Sequence, residues 1–229
     1  MILDGIVEAF ELLISFDSGV YNIILLSLIL SISATLTAAV FSIFFGVLIS
    51  ISDFKLKNLV KRLTFTLMGI PPVVLGLIVL LFLIGPLDSL NLVFTKTAMF
   101  IAQTLLVIPI ITGNIIISSE KTQNKVLETA TTLGANKLDK IKLVIKEIKP
   151  FVFMSIVLGF SRAISEVGAV MLVGGNIKGD TRVMTTSIAL TNSMGNFSAS
   201  IAMGIVLLVI AFLIHTLASK FRGDIYDWN

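Results

Sequence analysis

Two residues of opposite charge, Arg162 and Glu166, interrupt an otherwise apolar stretch between residues 150 and 173. They are four residues apart, so a helix places them on one face. At about 1.5 Å per residue, Arg162 lies about 18 Å along that helix from Pro150. Charges inside an apolar slab predict a functional site, in which Arg162 balances a passing anion and Glu166 keeps the anion from binding too tightly. The alternative is a pair that neutralises itself and locks the helix to a neighbour.

A second polar stretch, Glu128 to Pro150, is the one long water-soluble segment of the chain. The sequence predicts a short helical run over Val126–Leu133, a bend at Gly134, and a second helix over about Asn136–Lys149. The apolar residues of the second helix share one face, and its lysines lie mostly on the other. The apolar set is Leu138, Ile141, Val144, Ile145 and Ile148. Such a basic amphipathic helix suits either a partner protein or an anionic lipid surface.

The elements that must position these residues are membrane-spanning helices, because the composition excludes a soluble domain. Of the 229 residues, 56% are hydrophobic and 14% are charged, and the mean hydropathy is +1.03. Five stretches reach the roughly 20 residues that a helix needs to span the apolar slab. They cover residues 21–51, 63–85, 95–118, 150–173 and 199–219. We therefore predict an all-α, polytopic membrane protein with five transmembrane helices in a single domain over residues 1–229.

The basic residues predict the orientation of these helices. Of the 17 Lys and Arg residues, 13 lie just after the first stretch, between the third and fourth stretches, or after the fifth. The opposite loops carry only Lys96, Lys178 and Arg182, and the first 20 residues carry none. Because Lys and Arg concentrate on the cytoplasmic side, we expect residues 119–149 in the cytoplasm, the N-terminus outside and the C-terminus inside.

Two segments are predicted to lie at the outer surface. Residues 1–18 alternate acidic and apolar side chains, which favours an interfacial helix, and the absence of a basic start argues against a signal peptide. Residues 174–198 form an outer loop. Gly174 and Gly179 in that loop have the spacing of a phosphate loop, but Asp180 stands where the lysine is required, so nucleotide binding is excluded.

Prolines are expected to kink two of the spans, at Pro71 and Pro72 in the second and at Pro109 in the third. A kink within a bilayer is tolerated where neighbours or water satisfy the freed carbonyl groups. These positions are therefore either hinges of a pathway or irregularities of packing. The chain has no cysteine, and its single histidine, His215, is expected to be a packed or hydrogen-bonded helix residue, so no metal site is predicted.

The loop around Glu128 resembles the cytoplasmic signature of importer-type ABC transporter permeases. That signature is Glu-Ala-Ala, three residues, glycine, nine residues and an apolar position, and here Glu128, Gly134 and Val144 have the same spacing. Two residues depart from it, because Thr129 replaces the first alanine and Glu147 stands where proline is usual. Residues 70–77 and 85–87 further resemble permeases for molybdate and tungstate. Residues 161–169, 173–182 and 185–190 resemble tungstate permeases more than molybdate permeases. This second resemblance spans roughly residues 63–197.

The resemblance implies that the cytoplasmic loop is a coupling helix, which seats in a groove on an ATP-binding subunit. The small residues Ala130 and Ala135 would allow close approach, Gly134 the bend, Leu133 an apolar contact, and Glu128 the orientation of the turn. As charges within an apolar span, Arg162 and Glu166 are candidates for a translocation pathway or its gate, and so are the kink-forming Pro71 and Pro72.

The resemblance further implies a set of partners in a prokaryotic cytoplasmic membrane. Two copies of this chain would pair as a homodimer, since five helices are too few to enclose a path. Two ATP-binding subunits, which would hold the ATP and Mg²⁺, and an extracytoplasmic substrate-binding protein complete the expected transporter. This chain would bind no cofactor or nucleic acid and would not be an enzyme. The expected cargo is tungstate, with molybdate or another oxyanion as the alternative.

A different class of function stays open on the sequence alone. A secondary carrier or channel would also be polytopic, but such carriers usually contain internal repeats and several intramembrane charges. No repeat is found here, and Arg162 and Glu166 form a single charged pair.

Overall fold

The computed structural model describes residues 18–226 together with residues 3, 6, 7, 10, 11 and 14, and it describes side chains outside residues 123–126 and 217–226. The interfacial helix predicted over residues 1–18 therefore lies outside the described residues, apart from six positions that are helical. Within the described ranges every regular element is helical and no strand occurs, which confirms the all-α prediction.

Nine α-helices and one short 3₁₀ turn at Asp88–Leu90 make up the described part of the chain. In chain order the helices are α1 (Ser18–Ile51), α2 (Lys57–Met68), α3 (Pro72–Ile84), α4 (Lys96–Thr132), α5 (Lys137–Glu147), α6 (Lys149–Ile164), α7 (Gly168–Gly174), α8 (Met184–Ser193) and α9 (Phe197–Tyr226). The predicted outer loop over residues 174–198 thus contains a helix of its own, α8.

Three of the described helices are long and apolar enough to cross a membrane alone. These are α1 with 34 residues, α4 over Lys96–Thr122 with 27, and α9 over Phe197–Thr216 with 20. Two further candidates are bent pairs: α2 and α3 meet at 105°, and α6 and α7 at 57°. The described chain therefore contains three spans, or up to five when each bent pair counts as one.

The kink predicted in the second span is a complete break. Pro71 is extended, with φ −61° and ψ 126°, and Pro72 is the first residue of α3. A residue before proline is driven out of the helical region, and proline at the first helical position loses no hydrogen bond, so the two prolines end one helix and start another. Pro109, by contrast, lies inside α4, which continues through it as one helix.

A seam of small side chains joins α1 to α4. Ser42 is buried and its hydroxyl donates to the Ile108 carbonyl oxygen of α4 at 3.1 Å. A Cβ atom added at Gly46 would lie only 2.8 Å from Ile115, so the two backbones approach as closely as glycine allows. Other hydroxyls of α1 bond within their own helix, as Thr35 does to the Ser31 carbonyl at 2.7 Å.

The soluble segment folds against the end of this seam. The short helix predicted over Val126–Leu133 is not separate, because α4 runs without a break to Thr132. The second predicted helix is confirmed as α5, whose buried residues Ile141 and Val144 join the same apolar cluster as Ile111 and Ile115 of α4. Leu138, predicted on the same face, is 60% exposed because it lies one turn before this cluster.

Helices α3 and α7 make the closest backbone contact between the two bent pairs. A Cβ atom at Gly76 would lie 2.6 Å from the Ala169 Cα atom, and one at Gly168 would lie 2.5 Å from Val73 Cγ2. These distances leave no room for a side chain at either glycine. The breaks of the second and fourth spans are therefore packed against each other.

This contact predicts that glycine-to-alanine substitutions at two positions near Pro71 and Pro72 will differ in their effect on stability. Gly76→Ala adds a methyl group that meets the Ala169 backbone, so we expect a loss of about 1–3 kcal/mol in the free energy of unfolding. Gly69→Ala adds the same group where the nearest atom, the Thr66 carbonyl oxygen, is 3.7 Å away, and should be neutral. Each variant is solubilised in detergent and heated to a series of temperatures. The fraction that stays folded is then measured by size-exclusion chromatography, which gives the midpoint of thermal unfolding. Equal midpoints would contradict the proposed packing.

Candidate functional site

The first turns of α3 and α7 lie side by side, which brings the predicted pathway residues into one region. A Cβ atom at Gly168 would be 3.6 Å from the backbone nitrogen of Val73, the residue after Pro72. Glu166 lies in the short connection between α6 and α7, just before Gly168. The structure therefore places the start of α3, just after Pro71 and Pro72, against the start of α7, two residues after Glu166.

Arg162 and Glu166 form an ion pair, with Arg162 Nη1 3.5 Å from Glu166 Oε2. Arg162 is in the last turn of α6, whereas Glu166 lies beyond the end of that helix. The Glu166 side chain is 2% exposed and that of Arg162 is 34% exposed. The two partners therefore have different surroundings: the carboxylate is enclosed, and the guanidinium group reaches the surface of the protomer.

Hydrogen bonds tie Glu166 to α7 and to α8. Its Oε1 accepts the backbone N–H of Ala169 in the first turn of α7 at 3.0 Å. Its backbone carbonyl oxygen accepts the hydroxyl of Thr185, from α8, at 2.7 Å. Since the first N–H groups of a helix have no partner within it, the carboxylate replaces the missing acceptor at the break. Glu166 is therefore a fixed structural group as well as the counter-ion of Arg162.

Polar groups continue along the surface on both sides of Arg162. His215 Nε2 of α9 lies 2.7 Å from the Ser161 hydroxyl, which donates to the Val157 carbonyl oxygen at 2.8 Å. With its single hydrogen used in this way, the hydroxyl accepts the imidazole N–H. The prediction that His215 is a hydrogen-bonded helix residue is confirmed. Ser165, one turn after Ser161, is exposed.

Sequence reasoning missed two residues of this region, Thr185 and Gln103. Gln103 is 3% exposed, and its Nε2 donates to the Ala163 carbonyl oxygen at 3.1 Å, so it ties α4 to the residue after Arg162. The available signal for Gln103 was an amide side chain within a predicted apolar span. Thr185 gave no such signal, because its role depends on where α8 packs. Among the described residues no group of three or more His, Cys, Asp or Glu side chains could hold a metal ion.

The turn at Gly134 closes α4 with two backbone hydrogen bonds. Gly134 has φ +74°, and its N–H donates to the Thr131 carbonyl oxygen at 3.0 Å. The N–H of Ala135 donates to the Ala130 carbonyl oxygen at 2.9 Å. This pair of bonds with a left-handed residue between them is a Schellman motif, which favours glycine. The bend predicted at Gly134 is thus required by the backbone.

Asn136 then starts α5 with a reciprocal cap. Its side-chain oxygen accepts the Asp139 N–H at 3.0 Å, and the Asp139 carboxylate accepts the Asn136 N–H at 3.3 Å. Such a capping box fixes where the helix begins. The two helices that flank Gly134 therefore have defined ends on both sides of a two-residue turn.

The residues predicted to couple to a partner differ in their exposure. Glu128 and Gly134 are exposed, and Leu133 is 80% exposed. Ala135 is half-buried, whereas Ala130 is 2% exposed, so its methyl group packs inside the protomer.

Comparison with known proteins identifies the family. Residues 38–222 match the family described as binding-protein-dependent transport system inner membrane component. The chain is 49% identical, over 97% of its length and 99% of the relative, to the tungstate uptake system permease protein TupB of Peptoclostridium acidaminophilum. It is 34% identical to TupB of Campylobacter jejuni, over 96% and 93% of the two chains. A probable anion ABC transporter permease protein of Haloferax volcanii is 33% identical over 88% and 90%.

The geometry of Glu166 predicts that its role as an acceptor can be separated from its charge. Glu166→Gln keeps an oxygen that can accept the Ala169 N–H, whereas Glu166→Ala leaves this buried donor without a partner. We expect Glu166→Ala to be less stable than Glu166→Gln by about 1–3 kcal/mol, measured as the difference in thermal unfolding in detergent. If both variants lose the same stability, the ion pair with Arg162 outweighs the hydrogen bond at the break.

Proposed function

The chain belongs to the family of binding-protein-dependent transport system inner membrane components, and we propose that it is the membrane-spanning permease subunit of an ATP-driven importer for tungstate. The observation that carries this proposal is the 49% identity to a tungstate uptake permease over nearly the whole of both chains. The relative described only as an anion permease keeps molybdate or another oxyanion as the alternative cargo. The chain is a multi-pass protein of the cytoplasmic membrane and a transport protein rather than an enzyme.

The proposed topology has five spans, with the bent pairs α2–α3 and α6–α7 counted as one span each. The N-terminus is outside and the C-terminus inside, so that α5 and the turn at Gly134 lie in the cytoplasm. Two observations support this. The helix lengths and bends fit five spans, and 13 of the 17 basic residues then lie on the cytoplasmic side.

The proposed path for the oxyanion passes Arg162. An anion that leaves water needs a compensating positive charge, and Arg162 offers one. Its ion pair with Glu166 is a single contact at 3.5 Å, so other N–H groups of the guanidinium remain for the anion. Glu166 then limits the strength of anion binding and holds the break at α7. The adjoining break at Pro71 and Pro72 acts as the gate, because a chain without continuous helical hydrogen bonds can change its angle at lower cost.

The proposed coupling element is the turn at Gly134. Leu133 enters a groove on the ATP-binding subunit, Ala135 allows close approach, and Glu128 contacts the rim of the groove. Ala130 acts from within, because its carbonyl oxygen accepts the Ala135 N–H and so fixes the turn. Residues of α5 pack in one apolar cluster with residues of α1 and α4. A displacement of the turn at Gly134 therefore also displaces these two helices.

The proposed assembly contains two copies of this chain, two ATP-binding subunits and one extracytoplasmic substrate-binding protein. The family's description as a binding-protein-dependent system supports the last partner. ATP and Mg²⁺ bind to the ATP-binding subunits. In this arrangement the permease supplies only the path and the coupling surface.

Uptake measurements test the cargo and the role of Arg162 together. Cells with the complete transporter should accumulate radiolabelled tungstate, and removal of this chain should abolish the uptake. Arg162→Gln should reduce uptake at least about tenfold, which corresponds to about 1.4 kcal/mol, while Arg162→Lys keeps the charge and part of the activity. Lys55→Gln removes an exposed charge elsewhere and serves as the control.

Two results of this experiment would contradict separate parts of the proposal. Normal uptake by Arg162→Gln would remove Arg162 from the path but leave the cargo unaffected. Uptake of molybdate or sulfate, and not tungstate, that depends on this chain would change the cargo.

Coupling is tested by two substitutions at Gly134 and one at Glu128. Gly134→Val places a β-branched residue at φ +74°, although no atom lies within 4 Å of its Cβ, so the cost is one of backbone strain of about 1–3 kcal/mol. Gly134→Asn is the matched control, because asparagine tolerates this region. We expect Gly134→Val and Glu128→Lys to reach the membrane normally but to retain less ATP-binding subunit on purification and to lose substrate-stimulated ATP hydrolysis. Full retention in both variants would favour a loop that lies on anionic lipid.

A further inference from the structure

A groove of about 530 Å³ opens where α1 and α4 both begin, beside the connection from α7 to α8. Successive turns of α1 form one wall of the groove. Charged residues of α4 and of the connection from α7 to α8 form one end of it. The charged residues are Lys96, Lys178, Asp180 and Arg182. The three basic residues that sequence analysis found in separate loops thus meet at a single groove, which neither the proposed path nor the coupling turn uses.

The wall formed by α1 is apolar apart from Asn22. The groove is lined from Gly19 to Ile29, which is about 15 Å along a helix. Leu25 and Ile29 on this wall are each 55% exposed. Since the hydrocarbon core of a bilayer is about 30 Å thick, this length reaches about halfway through it. A hydrocarbon chain therefore fits this wall in both chemistry and length.

The charged end of the groove is cationic overall. Three positive charges face one negative charge, a net of two. Lys96 Nζ pairs with Asp180 Oδ1 at 3.1 Å, and Lys178 has no ion-pair partner within the described chain. Arg182 uses Nε and Nη2 to bind Asn176, each at 3.2 Å, and keeps three of its five N–H groups for another acceptor. An anion with several oxygens matches this end of the groove.

Hydrogen bonds fix the backbone of the connection between α7 and α8, which carries Lys178 and Arg182. Thr181 is fully buried, where its hydroxyl donates to the Gly174 carbonyl oxygen and accepts the Ile177 N–H at 2.9 Å. The N–H of Arg182 also donates to the Ile177 carbonyl oxygen, at 3.0 Å. Lys178 and Arg182 are therefore held on one side of a closed turn, beside the apolar wall.

We propose that this groove binds an anionic glycerophospholipid of the leaflet at this end of the protein. Its phosphate group contacts Lys178 and Arg182, and one acyl chain lies along α1 as far as Ile29. A soluble protein docked on the same charges would not reach Ile29, about 15 Å along α1 from Gly19. A zwitterionic lipid would cover the apolar wall, but its own cationic group cancels the charge of its phosphate, so the net positive charge of the groove would not be balanced.

Native mass spectrometry of the purified transporter, titrated with phosphatidylglycerol and with phosphatidylcholine, tests this site. The wild type should bind phosphatidylglycerol more tightly. Lys178→Gln should weaken that binding about fivefold, as expected for the loss of one basic residue near an anionic headgroup, and should weaken phosphatidylcholine binding less, because the choline group balances its phosphate. Ile29→Trp, which fills the apolar wall without a change in charge, should weaken both lipids. The control Lys55→Gln, an exposed lysine near the opposite end of α1, should have no effect.

Three results would overturn the proposal. The first is equal binding of the two lipids by the wild type. The second is unchanged phosphatidylglycerol binding in both Lys178→Gln and Ile29→Trp. The third is unchanged lipid binding in Lys178→Gln together with weaker binding of the soluble substrate-binding protein, which would assign the cationic end to that partner instead.

Discussion

Backbone hydrogen bonding inside the membrane is the constraint on which the rest of this structure depends. No water is available in hydrocarbon, so every helix end there needs a partner from the protein. The bent pair α6–α7 is interrupted at Ser165–Val167, and the Glu166 carboxylate accepts the Ala169 N–H. The same residue binds Thr185 of α8 through its carbonyl oxygen and pairs with Arg162. A break in the membrane is thus stable because one buried acidic residue replaces the missing acceptor.

Close packing of small residues solves the complementary problem of holding apolar helices together in an apolar solvent. Hydrophobic burial gives little advantage there, so association depends on van der Waals contact and on hydrogen bonds between helices. Gly46 against Ile115 and Gly76 against the Ala169 backbone provide the contact, and Ser42 provides a bond to the Ile108 carbonyl oxygen. The rigid part of the protomer is therefore built from α1 and α4, and the two broken spans lie against it.

Much of this architecture could be predicted from the sequence, because hydropathy, helical periodicity and proline act locally. The spans, the bend at Gly134 and the buried face of α5 follow from such local rules. The continuation of α4 to Thr132 was missed, since hydropathy falls near Glu120 although helical hydrogen bonding continues. The capping box of Asn136 and Asp139 was readable from its spacing and was also missed.

What could not be predicted depends on contacts between distant segments. Arg162 and Glu166 were placed on one helix face, yet the carboxylate lies beyond the helix and is fixed by α7 and α8. Likewise, Lys96 and Arg182 are separate charges in the sequence, and their position at one groove requires the connection from α7 to fold back onto α4. No pattern along the chain encodes either arrangement.

The uninterrupted course of α4 has a mechanical consequence. Its 37 residues form a rod about 55 Å long, from the groove at Lys96 to the turn at Gly134. A rod pivoted at one end acts as a lever, so a tilt of about 5° at the Lys96 end moves the far tip by about 5 Å. Since α4 contacts α1, α2, α3, α5, α6 and α7, such a small rotation affects both bent pairs at once. A single helix, α4, thereby couples movement of the turn at Gly134 to the angles within the bent pairs α2–α3 and α6–α7.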